Sequence, residues 1–164
     1  MTQTAIQPRR RVAWPPGVGL AFTIVSFILF IASLTQYAFL LEDSQKNRSW
    51  APSLLPLLIG WLGVLEYCFA WFANPMLLLA WILSFFPASR VVGLGFAVVA
   101  TGLSLSVLVW RPDIWGDNDK AVILQYGAGY WLWVASIVTA LIACAIPGPR
   151  APTAENPATD SVSP

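Results

Sequence analysis

Few side chains in this sequence could do chemistry, and the best placed of them is Glu66. It falls inside the apolar stretch GWLGVLEYCFAW, residues 60–71, where an ionised carboxylate costs several kcal/mol in hydrocarbon and must therefore face protein or water. Two roles suit such a group. It can exchange a proton or a cation, supported by Tyr67 or by hydroxyls such as Ser104, Ser106, Ser136 and Thr139. Alternatively, it stays protonated and uses its OH and carbonyl to clamp neighbouring helices or to meet a partner.

The remaining candidates carry less. Asp113, Asp117 and Asp119 are close in sequence, but they lack the ligand spacing, turn glycine and terminal glutamate of a calcium loop, so a solvated turn is expected and no metal site. Cys68 and Cys144 both fall in apolar segments, which points to small buried side chains rather than a disulfide or a metal pair. The chain has no histidine, no glycine-rich phosphate loop, no serine elbow and no set of membrane carboxylates to share acid and base work. It is therefore not expected to be an enzyme or to hold a cofactor. A net charge of +1 without a basic stripe gives no footing for nucleic acid.

The elements that must position these residues are set by composition. Of 164 residues 57% are hydrophobic and 10% charged, against roughly 25% charged in an ordinary soluble domain. The apolar residues gather in blocks long enough for helices that cross a bilayer, about 20 residues each. An all-α membrane bundle of four transmembrane helices is expected, with the bilayer itself as one partner.

The first span is read over 18–41. The polar loop 42–50 (EDSQKNRSW) then leads to a second span over 53–73. Asn74-Pro75 breaks that helix, and the piece 75–87, too short to cross alone, forms a half-helix or the far limb of a kinked helix. The third span covers 91–110 and the fourth 130–146, ended by Pro147-Gly148-Pro149. Gly93, Ala97, Thr101 and Ser104 share one face of the third helix, where small residues permit close backbone approach. With Glu66, Tyr67 and Asn74 they make up the candidate surface for a partner or a structural clamp.

Three regions follow: a cytoplasmic segment 1–17, a membrane domain 18–146 and a disordered tail 147–164, whose Pro, Ala, Thr and Ser offer too little apolar surface to offset ordering. Arg9, Arg10 and Arg11 beside Trp14 hold the first flank in the cytoplasm, with Arg90 and the tail on the same side. Both termini are thus expected inside, for a multi-pass protein of the bacterial inner membrane. Of nine tryptophans, Trp14, Trp50, Trp110, Trp115 and Trp131 fall at expected membrane boundaries, where amphipathic rings anchor.

The block Trp71-Phe-Ala-Asn-Pro75 followed by MLLLAWIL resembles one in small bacterial inner-membrane proteins. In size and layout the chain is similar to polytopic immunity proteins, which protect a bacterium from toxins that attack its own membrane. That resemblance implies a non-catalytic interaction protein with a membrane-inserted toxin as its partner. The chain also resembles small multidrug-resistance transporters in four expected spans and one membrane glutamate. There the glutamate belongs to the first helix, whereas Glu66 is in the second and two tails are added, which argues against direct transfer of that mechanism; on the single intramembrane carboxylate an ion-coupled transporter using Glu66 stands as the alternative, beside an accessory subunit of a membrane complex.

Overall fold

The computed structural model describes residues 17–43, 45–66, 68–109, 114–116 and 119–146, with backbone alone for 64–66, 87, 114–116 and 119–121. The segment 1–16, the tail 147–164, Tyr67, Trp110, Asp113 and Asp117 lie outside these, as do the side chains of Glu66, Trp115 and Asp119.

Helix α1, Val18–Leu34, is capped at its end by Thr35. The expected first span had run on to Leu41, but the apolar residues after Gln36 enter a strand instead. Strand β1, Tyr37–Glu42, pairs antiparallel with β2, Arg48–Pro52. An apolar run has no period that separates a buried strand from a helix end, so hydropathy alone merges the two. The hairpin turn is local chemistry: Asp43 accepts from the Asn47 backbone N–H at 2.8 Å and from its side-chain amide at 3.1 Å, and Lys46 takes a left-handed φ of 64°.

The connection between the last two helices is also a hairpin. Strands β3, Ile114–Gly116, and β4, Asp119–Tyr126, complete an antiparallel sheet in the order β2-β1-β4-β3. The central β1–β4 pair sets Phe39 opposite Tyr126 and Leu41 opposite Ile123. The two polar connections thus fuse into one sheet at one end of the molecule, and the all-α expectation is corrected. Pairing across a large sequence separation is what makes it: neither hairpin alone would be more than marginally stable.

The expected second span is corrected too. After Ser53 come a short helix α2, Leu54–Ile59, and a 3-10 helix over Gly60–Glu66; a further 3-10 turn, Ala70–Phe72, leads directly into α3, Ala73–Ser84. The chain enters this segment beside the sheet, where Ser53 N–H donates to Gln36 at 2.9 Å. It leaves at the same end, with Ala70 packed beside Ile123 of β4. In between it folds back on itself. The Trp71 indole donates to the Leu57 carbonyl at 2.9 Å, and Cys68 N–H donates to the Gly63 carbonyl at 2.8 Å. The fold-back depends on two glycines: a Cβ on Gly60 would lie 2.8 Å from the Trp71 ring, and one on Gly63 would lie 3.3 Å from the Cys68 carbonyl. Residues 54–69 are therefore a hairpin rather than a crossing.

The piece expected to be a half-helix or the far limb of a kinked helix forms α3, whose Leu77 and Ala80 reach the middle and far layers of the core. Pro75 is the third residue of α3, where a missing N–H costs nothing because the first turn has no intrahelical acceptor. It starts the helix and does not break it.

Helix α3 packs on α4, Arg90–Val109, which packs on α5, Ala128–Ala145, and α5 on α1. Their shared core is layered. Val107, Tyr130 and Val134 lie under the sheet; Leu77, Ala100 and Ile137 form the middle; Ala80, Ala97 and Cys144 fill the far end. Among the described residues two helices, α4 and α5, are long and apolar enough to cross a membrane. The 20 residues of α4 rise about 30 Å, one hydrocarbon thickness. At 17 and 12 residues, α1 and α3 fall short of the four full spans expected.

Candidate functional site

Small or hydroxyl-bearing residues make up all of the buried set of α1 and most of that of α4, while α3 and α5 also bury Leu77, Tyr130, Val134 and Ile137. On α1 the buried residues are Thr23, Ser26 and Ser33, while Leu20, Ile24, Phe27, Ile28 and Ile31 are exposed. On α4 the buried set includes Gly93, Ala97, Ala100 and Ser104.

A few interior hydroxyls and indoles tie helix to helix. Trp81 donates to Ser26 Oγ at 2.8 Å, and Ser26 in turn donates to the Ser136 carbonyl at 2.7 Å, linking α3, α1 and α5. Tyr130 OH donates to the Ser104 carbonyl at 2.9 Å, joining α5 to α4. At the far end Arg90 Nη1 donates to the Ile146 carbonyl at 3.1 Å.

The residues singled out from sequence divide among these roles. Asn74 is a clamp, accepting the Trp133 indole N–H at 2.9 Å. Gly93 lets α4 approach α3 and α5: a Cβ there would meet Leu83 Cβ at 3.1 Å and Cys144 Sγ at 3.5 Å. Ala97 packs with Ala80 and Cys144. Thr101 bonds back to the Ala97 carbonyl of its own helix at 2.8 Å. Ser104, fully buried, likewise donates to the Thr101 carbonyl at 2.9 Å.

Glu66 closes the 3-10 stretch of the hairpin, so the straight helix around it that the sequence suggested is absent. The hydroxyls expected to support it are used elsewhere: Ser106, Ser136 and Thr139 each donate to a carbonyl of their own helix, at 2.7 Å. Cys68 and Cys144 are free thiols, the second buried. Trp50 and Trp131 are exposed near the sheet end.

The feature that sequence reasoning missed is an open-sided cavity of about 290 Å³ between the 54–69 hairpin, the sheet and the sheet-side ends of α1 and α5. Phe30, Phe39, Leu41, Leu57 and Val107 contribute apolar walls. Its polar groups are nearly all committed: Tyr130, Trp71 and Asn74 in the bonds above, and Ser33 to the Phe30 carbonyl at 2.6 Å. Ser53 Oγ has no partner among the described residues, but it is packed against Gly129 and is not open to the space. No signal in the sequence announces the cavity, since it exists only where the hairpin and sheet face each other.

Compared with known proteins, the chain matches no family model, no curated protein and no solved structure. What the fold itself defines is a mostly helical bundle, capped by a small sheet, with two helices among the described residues long and apolar enough to cross a membrane.

Proposed function

We propose that this is a membrane-embedded, non-catalytic interaction protein whose bundle lies among lipid and whose sheet-capped end meets a membrane protein partner. The observation that carries the reading is the inverted distribution of side chains, with Ser26 at 0% exposure and Ile28 at 59% on the same helix. In water, burying hydroxyls while exposing large apolar groups forfeits about 25 cal/mol per Å² of apolar surface. In lipid the exposed apolar groups cost nothing, and close packing with helix-to-helix hydrogen bonds holds the interior together.

The start of α1 and the end of α5 lie together, Gly19 beside the Ala143 carbonyl, at the end away from the sheet. The Arg9–Arg11 triplet supports a reading in which that end faces the cytoplasm of a bacterial cell and the sheet faces the periplasm. Ser26, Trp81, Asn74, Trp133 and Tyr130 use their polar atoms in helix-to-helix bonds, which supports a packing role for them. In its most specific form the partner is a membrane-inserted toxin, held by packing against the hairpin and the outer helix faces as an immunity protein would hold it.

The test is membrane potential and growth in cells lacking the protein, with its genomic neighbours expressed in the periplasm. Depolarisation rescued only by this protein is the expected result. Unchanged potential with every neighbour removes the immunity form, and failure to recover any stoichiometric partner from native membranes removes the interaction reading.

A further inference from the structure

We infer that residues 54–62 form a re-entrant segment within the sheet-side leaflet, where in the unbound protein Leu58 and Trp61 lie directly against phospholipid acyl chains. The inference rests on the membrane reading above and deepens it by naming the depth at which a segment that does not cross meets lipid.

The helices set that depth. Ala73 opens α3 in the core layer of Ala100 and Ile137. From Ala100, α4 continues to Val109, a rise of about 14 Å, and α3 does not reach this last layer. The turn Ala70–Phe72 and the hairpin fill it. Ala70 packs with Val107 and Val134. The end of α2 rests on Trp71, just ahead of α3: the indole bonds to the Leu57 carbonyl, and a Cβ on Gly60 would lie 2.8 Å from the ring. The cavity walled by the hairpin also touches Phe30, one turn before the end of α1, and Trp133 in the second turn of α5. The hairpin is therefore beside the last part of α4, within the length that spans the hydrocarbon, and not beyond it.

The side chains suit that position. Residues 54–62 read LLPLLIGWL, and no charged residue occurs between Arg48 and Glu66. Leu54, Leu55, Leu58, Ile59, Trp61 and Leu62 are all 43–62% exposed, a contiguous apolar patch of the kind that water disfavours. A second copy of the chain would need small residues for close approach, and the glycine of this stretch, Gly60, turns onto Trp71 instead. The complement of Leu, Ile and Trp at this depth is an acyl chain. The backbone agrees, because lipid offers no partner to a free N–H or C=O. Helix α2 passes straight into a 3-10 helix, and both pair backbone groups internally. Above them, Tyr37 and Trp50 are exposed with ring centroids 6.2 Å apart, amphipathic rings at the level where headgroups begin.

The experiment uses the full chain with Cys68→Ala and Cys144→Ala, reconstituted in vesicles of phosphatidylethanolamine and phosphatidylglycerol. A nitroxide is attached at Leu58→Cys, Trp61→Cys, Val99→Cys or Lys46→Cys, one site at a time. Its collisions with oxygen, which concentrates in hydrocarbon, are compared with its collisions with a water-soluble nickel chelate. The oxygen-to-nickel ratio at Leu58 and Trp61 should stand several-fold above that at Lys46 and on the side of Val99. In the unsubstituted chain, phosphatidylethanolamine carrying an acyl-chain diazirine should label peptide 54–62 as readily as the peptide around Val99.

Nickel access at Leu58 and Trp61, with Val99 open to oxygen alone, overturns the inference and leaves the membrane reading standing. Nickel access at all three removes the membrane reading and the inference with it. Few collisions with either reagent at Leu58 and Trp61, in protein of unchanged helix content, mean that a second copy covers the segment, which overturns the lipid contact as well.

Discussion

Trp133 on α5 and Asn74 in the first turn of α3 meet across the bundle, indole N–H to Oδ1, over 2.9 Å. Both also line the cavity, so one hydrogen bond fixes the start of α3 and the floor of the space beneath the sheet. This bond explains why a polar residue precedes Pro75 in an otherwise apolar segment: it orients the helix that the proline begins.

Removing that bond should cost about 1 kcal/mol, the usual size of an interhelical hydrogen bond in membranes. Asn74→Ala and Trp133→Phe, alone and combined, would be compared by reversible unfolding in mixed micelles. A coupling energy near zero in that cycle would show that the pair is in contact without contributing.

Val99 is half-exposed at the middle of α4, and its substitution by lysine separates two solvents. On a water-facing helix Val99→Lys would change stability by no more than about 0.5 kcal/mol. Facing lipid it should cost about 2.5 to 3.5 kcal/mol in an insertion assay. A benign Val99→Lys in cells, with normal membrane recovery, would sink the lipid-facing assignment of this helix.

Two nearby glycines of α4 should respond in opposite directions. Gly93 faces Leu83 and Cys144, whereas a Cβ on Gly95 would meet nothing within 4 Å. Gly93→Val therefore overpacks the α3–α4–α5 contact, at about 1 to 3 kcal/mol. Gly95→Ala should be neutral or gain up to about 1 kcal/mol from helix propensity. Equal effects of the two in thermal unfolding would contradict the packing described.

The β1–β2 turn should loosen in acid. The Asn47 backbone N–H bonded to Asp43 holds that carboxyl below its usual range, with the Asn47 side-chain amide adding to the effect against slight desolvation. A lowered folded-state pKa means that the stabilisation is fully present above the ordinary carboxylate value and is lost as pH falls through the folded value. Amide exchange at Asn47 should accelerate over that acid range beyond the intrinsic rate, and Asp43→Asn should remove the dependence. Protection that does not vary with pH would count against the turn chemistry.

Much of the bundle was legible in the chain because a single local property, sustained hydropathy, decides it. The third and fourth spans were expected at 91–110 and 130–146, and α4 and α5 occupy Arg90–Val109 and Ala128–Ala145. The small-residue face at Gly93, Ala97 and Ser104 was readable from helical spacing. What failed was every boundary where an apolar run changes its structure. Leu40 and Leu41 continue the hydropathy of α1 but belong to β1, and GWLGVLE is as apolar as a span while its glycines make room for a returning chain.

The candidate site was not legible for a related reason. Asn74 stands out in the sequence, but its partner Trp133 is 59 positions away, and Ser53 is unremarkable until the hairpin buries it. The sequence by itself determined that the chain is built of long apolar helices with small faces, because helix formation and burial in an apolar medium depend on residues a few positions apart. Only the tertiary structure decided that two polar connections join as β1 and β4, that residues 54–69 fold back, and that a cavity lies between them. Those features arise from contacts between segments distant in sequence, whose energies no single segment carries.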